Sequence, residues 1–200
     1  MAESSDEVLI AAHREGETTA FAELVRRYGD SLLGYLNRIS ANRDEAEDLF
    51  QETFRRVHEN ASSYSGKGKF RSWLYAIATN VARDGLRKAK RQGTMISLNQ
   101  PNEDCSQGGC GEIDLAVAEE QVADPHQAVA LQEQKAQVRN AIDRLPERQR
   151  NTLILTYYQG LSYNEAAETL NCSLGTVKSQ MYRAVRALAR YLPETAGEII

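Results

Sequence analysis

The sequence is short of the residues from which compact scaffolds and enzyme centres are usually assembled. It has only 3 cysteines, an odd number that argues against a disulfide framework. Cys105 and Cys110 are separated by four intervening residues with no histidine nearby, which reads first as an ordinary loop pair, with metal ligation or redox pairing as the alternatives. The 3 histidines, His13, His58 and His126, are scattered. There is no Ser/His/Asp grouping, no phosphate-cradling glycine loop and no His/Glu metal motif, so no enzymatic activity, metal or cofactor is expected. No apolar run approaches the roughly 20 residues that cross a bilayer. MAESSDEVL lacks the basic start and apolar core of a secretory signal. The expectation is a cytoplasmic protein without membrane insertion.

Basic residues are missing from one long stretch. Residues 92–134 hold no lysine or arginine and 8 carboxylates, whereas residues 1–91 hold 15 basic and 14 acidic side chains and residues 135–200 hold 9 and 6. The formal net charge of −4 is therefore a property of the middle, and the flanking segments are neutral to basic. For contact with nucleic acid the local balance matters more than the total. Helical periodicity also fails between Gln92 and about Ala123, where Pro101, the CSQGGCG run and scattered acids mark a linker, with a short helical piece around Ile113–Val122. Such a segment resists collapse and avoids DNA. It reads either as a tether or as an acidic stand-in for nucleic acid in a basic channel.

The rest of the chain is helical in pattern. Asp6 can cap a short first helix, and Phe21, Leu24, Val25, Tyr28, Leu32, Leu36 and Ile39 recur at threes and fours. Asn42 and Glu45 form a capping-box pattern, followed by the apolar stripe Ala46, Leu49, Phe50, Thr53, Phe54 and Val57. On spacing alone, the opposite face with Asp48, Gln51 and Glu52 reads as solvated. Two glycines then interrupt Tyr64–Phe70, leaving a basic loop bracketed by aromatics. A helix follows from Arg71 to about Arg91. Trp73, Leu74, Ile77, Ala78 and Val81 belong to its core side, with Trp73 at least partly buried, and Tyr75, Asn80, Arg83, Asp84, Arg87 and Lys88 fall off it. Rings beside a basic helix suit a single strand, through base stacking and phosphate contact. Duplex backbone binding, or no nucleic-acid role, fits this composition as well.

After the linker, Asp124-Pro125 starts a helix and Pro146 opens another, with Leu153, Ile154, Tyr157 and Tyr158 facing inward and Gln159-Gly160 as its end. Ser162 and Glu165 cap a short helix, Asn171-Cys172-Ser173 breaks it, and Ser173 caps a second. On that helix Val177, Met181, Ala184, Val185 and Leu188 share one side. Ser179, Arg183, Arg186 and Arg190 occupy the other, flanked by Thr176 and Tyr182, and no acid occurs from Ser173 to Arg190. A basic solvated face is the plain alternative; two capped helices around a tight turn favour a DNA-binding helix-turn-helix.

Three segments in this order resemble the sigma-70 family of bacterial RNA polymerase sigma factors, in its small extracytoplasmic-function group. DEAEDLFQETFRRV (Asp44–Val57) is similar to the family's polymerase-gripping region, KFRSWLYAIATNVARDGLRK (Lys69–Lys88) to the segment that melts and reads the −10 promoter element, and Leu145–Leu188 to the −35-binding domain. The resemblance implies an all-α fold of two small helical domains, at 1–91 and 125–200, joined by a flexible acidic linker at 92–124. It implies polymerase contact through Asp48, Gln51 and Glu52. It assigns the −10 element to Tyr64, Lys67, Lys69, Phe70, Trp73, Tyr75, Asn80, Arg83, Arg87 and Lys88, with the Tyr64–Phe70 loop receiving a flipped base. It assigns the −35 element to Thr176, Lys178, Ser179, Gln180, Tyr182 and Arg183. Gln180 stands where many relatives have arginine, which implies an altered base preference. The implied partners are core RNA polymerase, promoter DNA and an anti-sigma factor, with the chain a monomer outside the holoenzyme. A polymerase-independent helix-turn-helix regulator is the alternative, and it would need a dimerisation element that the sequence does not present.

Overall fold

The computed structural model describes residues 4–40, 42–66, 69–96 and 125–192. Among them the chain forms eight α-helices and no strand: α1 (Asp6–Arg14), α2 (Thr18–Ile39), α3 (Arg43–Glu59), α4 (Phe70–Ile96), α5 (Pro125–Asp143), α6 (Glu147–Leu153), α7 (Tyr163–Thr169) and α8 (Leu174–Tyr191). A 3-10 turn, Ala61–Ser63, follows α3, and a π-helical turn, Ile154–Tyr158, continues α6. The chain divides into two compact units, built mainly from α1–α4 and from α5–α8. The linker with Cys105, Cys110 and the expected helical piece at Ile113–Val122 lies outside the described residues.

In the first unit, Leu24, Leu32 and Leu36 of α2, Val57 of α3 and Phe70 and Leu74 of α4 are fully buried. Burying a leucine-sized side chain stabilises by about 1.5–3 kcal/mol, so these positions hold the three helices together. Gly85 lets α3 and α4 approach closely: a Cβ there would lie 3.3 Å from Leu49 Cδ2. Two caps differ in detail from expectation. Ser5, rather than Asp6, caps α1, its Oγ accepting from the Val8 amide at 3.4 Å, because the Asp6 carboxylate is engaged by Arg27 and Tyr28. Asn42 caps α3 as expected, accepting from the Glu45 amide at 2.8 Å. Helix α4 continues five residues past Arg91; a lone glycine at Gly93 costs a helix only about 1 kcal/mol, and the first proline is Pro101.

Tyr75 is a correction. It was expected off the core side of α4, yet it is fully buried. Both α2 and α3 pack on α4, so the covered arc is wider than one stripe. The Tyr75 ring meets Tyr35 edge-on at 5.3 Å, and its hydroxyl donates to Ser31 Oγ at 3.2 Å. A tyrosine is tolerated inside once its hydroxyl has a partner.

In the second unit, Pro146 accepts from the Gln149 and Arg150 amides at 2.8 and 3.0 Å and so starts α6. The π turn closes with the Gln159 amide on the Ile154 carbonyl at 3.0 Å, and Gly160 leaves it at φ +61°. Here the second correction falls: Tyr157, expected inward, is 70% exposed, and Tyr158 is half-buried. Five residues span the wider turn, so side chains beyond Leu155 leave the phase an α-helix would give them. Ile154, Leu155, Leu161, Ala166, Val177 and Ala184 form the core.

Candidate functional site

The helix-turn-helix is fixed at each joint by local bonds. The Ser162 amide donates to Glu165 Oε2 at 2.8 Å while the Glu165 amide donates to Ser162 Oγ at 3.3 Å, the reciprocal capping box of α7. Asn171 takes φ +48° in the turn, a conformation asparagine tolerates better than most residues. Ser173 Oγ then accepts from the Thr176 amide at 3.1 Å and starts α8. Val177 and Ala184 seal one side of α8 against the core. Lys178, Ser179, Tyr182 and Arg183 are exposed on the other, and Thr176 and Gln180 are half-buried at its edges. Ser179 donates to the Thr176 carbonyl at 2.9 Å, which leaves its oxygen free to accept from a base amino group. No carboxylate among the described residues pairs with Lys178 or Arg183, so both charges are available. Arg186, absent from the expected contact set, lies with its guanidinium 5.7 Å over the Tyr182 ring and donates to the tyrosine hydroxyl at 3.4 Å. The i,i+4 spacing of an aromatic and an arginine on the outer face was the signal for it.

The candidate single-strand surface lies in the first unit. Tyr64, Phe70 and Trp73 form a ring cluster, with centroids 5.1 Å apart for Tyr64–Trp73, 5.8 Å for Phe70–Trp73 and 6.0 Å for Tyr64–Phe70. Phe70 is fully buried and Tyr64 nearly so; Trp73 is the half-buried member. Any base entering this cluster therefore meets Trp73 and the edge of Tyr64, while Phe70 supports them from beneath. Tyr75, buried on Tyr35, is removed from the contact set. Burial raises the Tyr64 phenol above its ordinary pKa, and the charges of Glu7 and Asp6 act in the same direction. Lys69 is exposed beside the cluster, and Lys67 lies outside the described residues. Beyond it, Trp73, Asn80 and Arg87 recur every seven residues and so align along α4 over about 21 Å. Asn80, Arg87 and Lys88 are exposed, and Arg83 donates to Asn80 Oδ1 at 3.4 Å.

On α3, Asp48 and Gln51 are exposed, but Glu52 is engaged inside the protein. Its Oε1 accepts from Arg55 Nη2 and Arg56 Nε, both at 2.7 Å. Those two guanidinium groups, Arg55 first, hold the Glu52 carboxyl down at about 2. Arg56 also reaches Asp84 of α4 at 3.3 Å. Of the three expected docking residues, Asp48 and Gln51 thus face outward, and Glu52 shares its charge with two arginines. Among the described residues no group of three or more metal-ligating side chains occurs, and no helix is long and apolar enough to cross a membrane.

Residues 24–92 match the model of sigma-70 region 2 and residues 135–188 that of sigma-70 region 4. The chain is 34% identical to the ECF RNA polymerase sigma factor SigW of Bacillus subtilis, over 90% of this chain and 92% of that protein. It is 32% identical to the ECF RNA polymerase sigma-E factor of Haemophilus influenzae, over 90% and 91%. It is 30% identical to the RNA polymerase sigma-H factor of Pseudomonas aeruginosa, over 96% of each. The fold is similar to that of the sigma factor RpoE of Bartonella quintana, solved with the anti-sigma factor NepR, at a TM-score of 0.65 and 23% identity over 87% of this chain and 97% of that one.

Proposed function

The chain belongs to the sigma-70 family of RNA polymerase sigma factors, in its extracytoplasmic-function group, and on that premise we propose how its named surfaces divide the work of promoter-specific initiation. Core RNA polymerase and promoter DNA are its partners. Helix α8 reads the −35 duplex through Lys178, Ser179, Gln180, Tyr182 and Arg183, with Thr176 at the rim. The Tyr64–Trp73 cluster and the row running through Asn80, Arg83, Arg87 and Lys88 hold the unpaired −10 strand. Asp48 and Gln51, assisted by Glu52, dock on the polymerase. The protein supplies positioning and no chemical step; the polymerase performs phosphoryl transfer in the cytoplasm, where both act. An anti-sigma factor, of the kind solved with the Bartonella relative, would silence the chain by covering these surfaces.

The observation that carries this reading is the division of α8 into a sealed apolar side and an outer side whose basic groups have no acidic partner among the described residues. Unstacking a base costs a few kcal/mol, and stacking on a preformed ring cluster returns about 1–3 kcal/mol per base. The test is to assemble the chain with core polymerase and select promoters from a library randomised at both elements. Thymine reactivity to permanganate is then read across the selected −10 region. Two enriched elements, with melting only in the complete holoenzyme, are expected. Selection of a single palindromic site by the chain without core polymerase would replace this reading with that of an independent regulator.

A further inference from the structure

Helix α1 precedes the matched region 2 segment, yet it is bonded into the support of the aromatic cluster. It packs on α2 and on the 3-10 turn that leads to Tyr64. Asp6, in its first turn, uses both carboxylate oxygens. Oδ1 accepts from Arg27 Nη1 at 3.0 Å, and Oδ2 accepts a short bond from the Tyr28 hydroxyl. The same Arg27 nitrogen donates to the Ser4 carbonyl at 2.7 Å, and Arg27 Nε donates to Glu23 at 3.0 Å. The pair is largely shielded, with side-chain exposures of 17% for Arg27 and 22% for Asp6. It is therefore better placed to hold a geometry than an exposed ion pair, which salt and side-chain freedom weaken.

Tyr28 carries that fixation across the domain. Its hydroxyl end is held by Asp6, and its ring lies 5.5 Å from Phe70, which in turn supports Trp73 and Tyr64. Three consecutive links, one hydrogen bond and two ring contacts, thus join a carboxylate on α1 to the rings offered to DNA. Burial and the adjacent carboxylate keep the Tyr28 phenol well above its ordinary range, so it remains a donor throughout physiological pH. A stacking surface holds a base well only while its rings keep their positions, and a displacement of about 1 Å would weaken the contact.

We propose that Asp6 and Tyr28 are positioning residues for −10 base capture, fixing Phe70 and through it the Tyr64–Trp73 rings that receive the unpaired base. This rests on the −10 reading above and extends the functional unit of region 2 beyond its matched segment.

The experiment uses holoenzyme reconstituted from the full chain and core polymerase. It measures affinity for a fluorescent single strand bearing the selected −10 sequence and for the same strand made abasic at the captured position. Wild type should bind the abasic strand about tenfold more weakly, as loss of one stacked base implies. Tyr28→Phe keeps the ring and deletes the tether; Asp6→Ala deletes its other end. Both should lower that discrimination to within about threefold while the −35 preference and core affinity stay at wild-type values. Asp6→Asn retains an acceptor for the tyrosine and should restore most of the discrimination. Unchanged discrimination in Tyr28→Phe would overturn the proposal. So would a uniform loss of core, −35 and −10 binding, which would make the tether a general support of the fold. If wild type itself shows no preference for the strand that keeps the base, the −10 reading fails first, and the selection step reports that separately.

Discussion

His13 is stacked on Phe21 at 4.5 Å and stands 4.9 Å from His58, with its Nδ1 enclosed and without a partner among the described residues. Desolvation, and then the charge of His58, lowers its pKa below the usual histidine value. The unfolded chain takes up a proton here more readily than the folded one, so acid favours unfolding. Stability should fall as pH drops through about 6.5, the ordinary histidine pKa, and His13→Phe, which keeps the stacking, should flatten that decline in urea titrations at pH 7.5, 6.5 and 5.5. Asp48 makes a second prediction of single-residue size. Since Glu52 is neutralised by Arg55 and Arg56, Asp48 offers the cleaner charge to a basic docking surface. Asp48→Lys should weaken core polymerase binding by about 1–2 kcal/mol, roughly tenfold, and Glu52→Gln by less, with circular dichroism unchanged for both. Equal effects in a binding titration would put the two carboxylates back on the same footing. The sequence pattern could place Asp48, Gln51 and Glu52 on one face, but it could not rank them, because the ranking depends on which rotamers Arg55 and Arg56 adopt.

Helix ends are where sequence and structure agree most closely. Ser162 with Glu165, Asn42 with Glu45, and Ser173 each make the bond that their spacing implies, since a cap needs only residues three apart. Ser173→Ala should cost about 1 kcal/mol and lower the melting temperature of the second unit by about 4–8 °C in calorimetry. On α8 itself, Arg183→Ala should reduce the slope of log affinity against log salt by about 0.9 and weaken binding to the selected −35 duplex, and Gln180→Arg should steepen that slope. A slope unmoved by Arg183→Ala would take that side chain off the phosphates and leave base contact as its role. What the pattern missed in these elements was non-local or non-α. Tyr75 is buried because Ser31, 44 residues earlier, satisfies its hydroxyl. Tyr157 points outward because an i,i+5 closure, which no local motif marks, shifts the helix phase.

For the whole molecule the distribution of charge carries more information than its sum. The acidic residues 92–134 separate a near-neutral segment from a basic one, and a channel lined for nucleic acid would attract them. Neutralising Glu103, Asp104, Glu112, Asp114, Glu119 and Glu120 as Gln or Asn should weaken holoenzyme assembly, with the deficit growing as salt is lowered and screening recedes. Wild-type assembly at every ionic strength would reduce the segment to a tether. The sequence disclosed the two helical units and their order because amphipathic periodicity is written locally, while the ring contacts among Tyr64, Phe70 and Trp73, and the link to them from Tyr28 of α2, had to await the fold. The two-sided character of α8 has a further consequence, in the currency of inheritance. Val177 and Ala184 answer to the fold, whereas Lys178, Ser179, Tyr182 and Arg183 are exposed and, in the function proposed above, answer only to DNA. Mutations in the second set meet almost no penalty from folding, so a duplicated copy of this chain can wander to new promoters while its architecture stands still. Descent within such a lineage would then be written in two clocks on one helix, slow on the sealed side and fast on the open one.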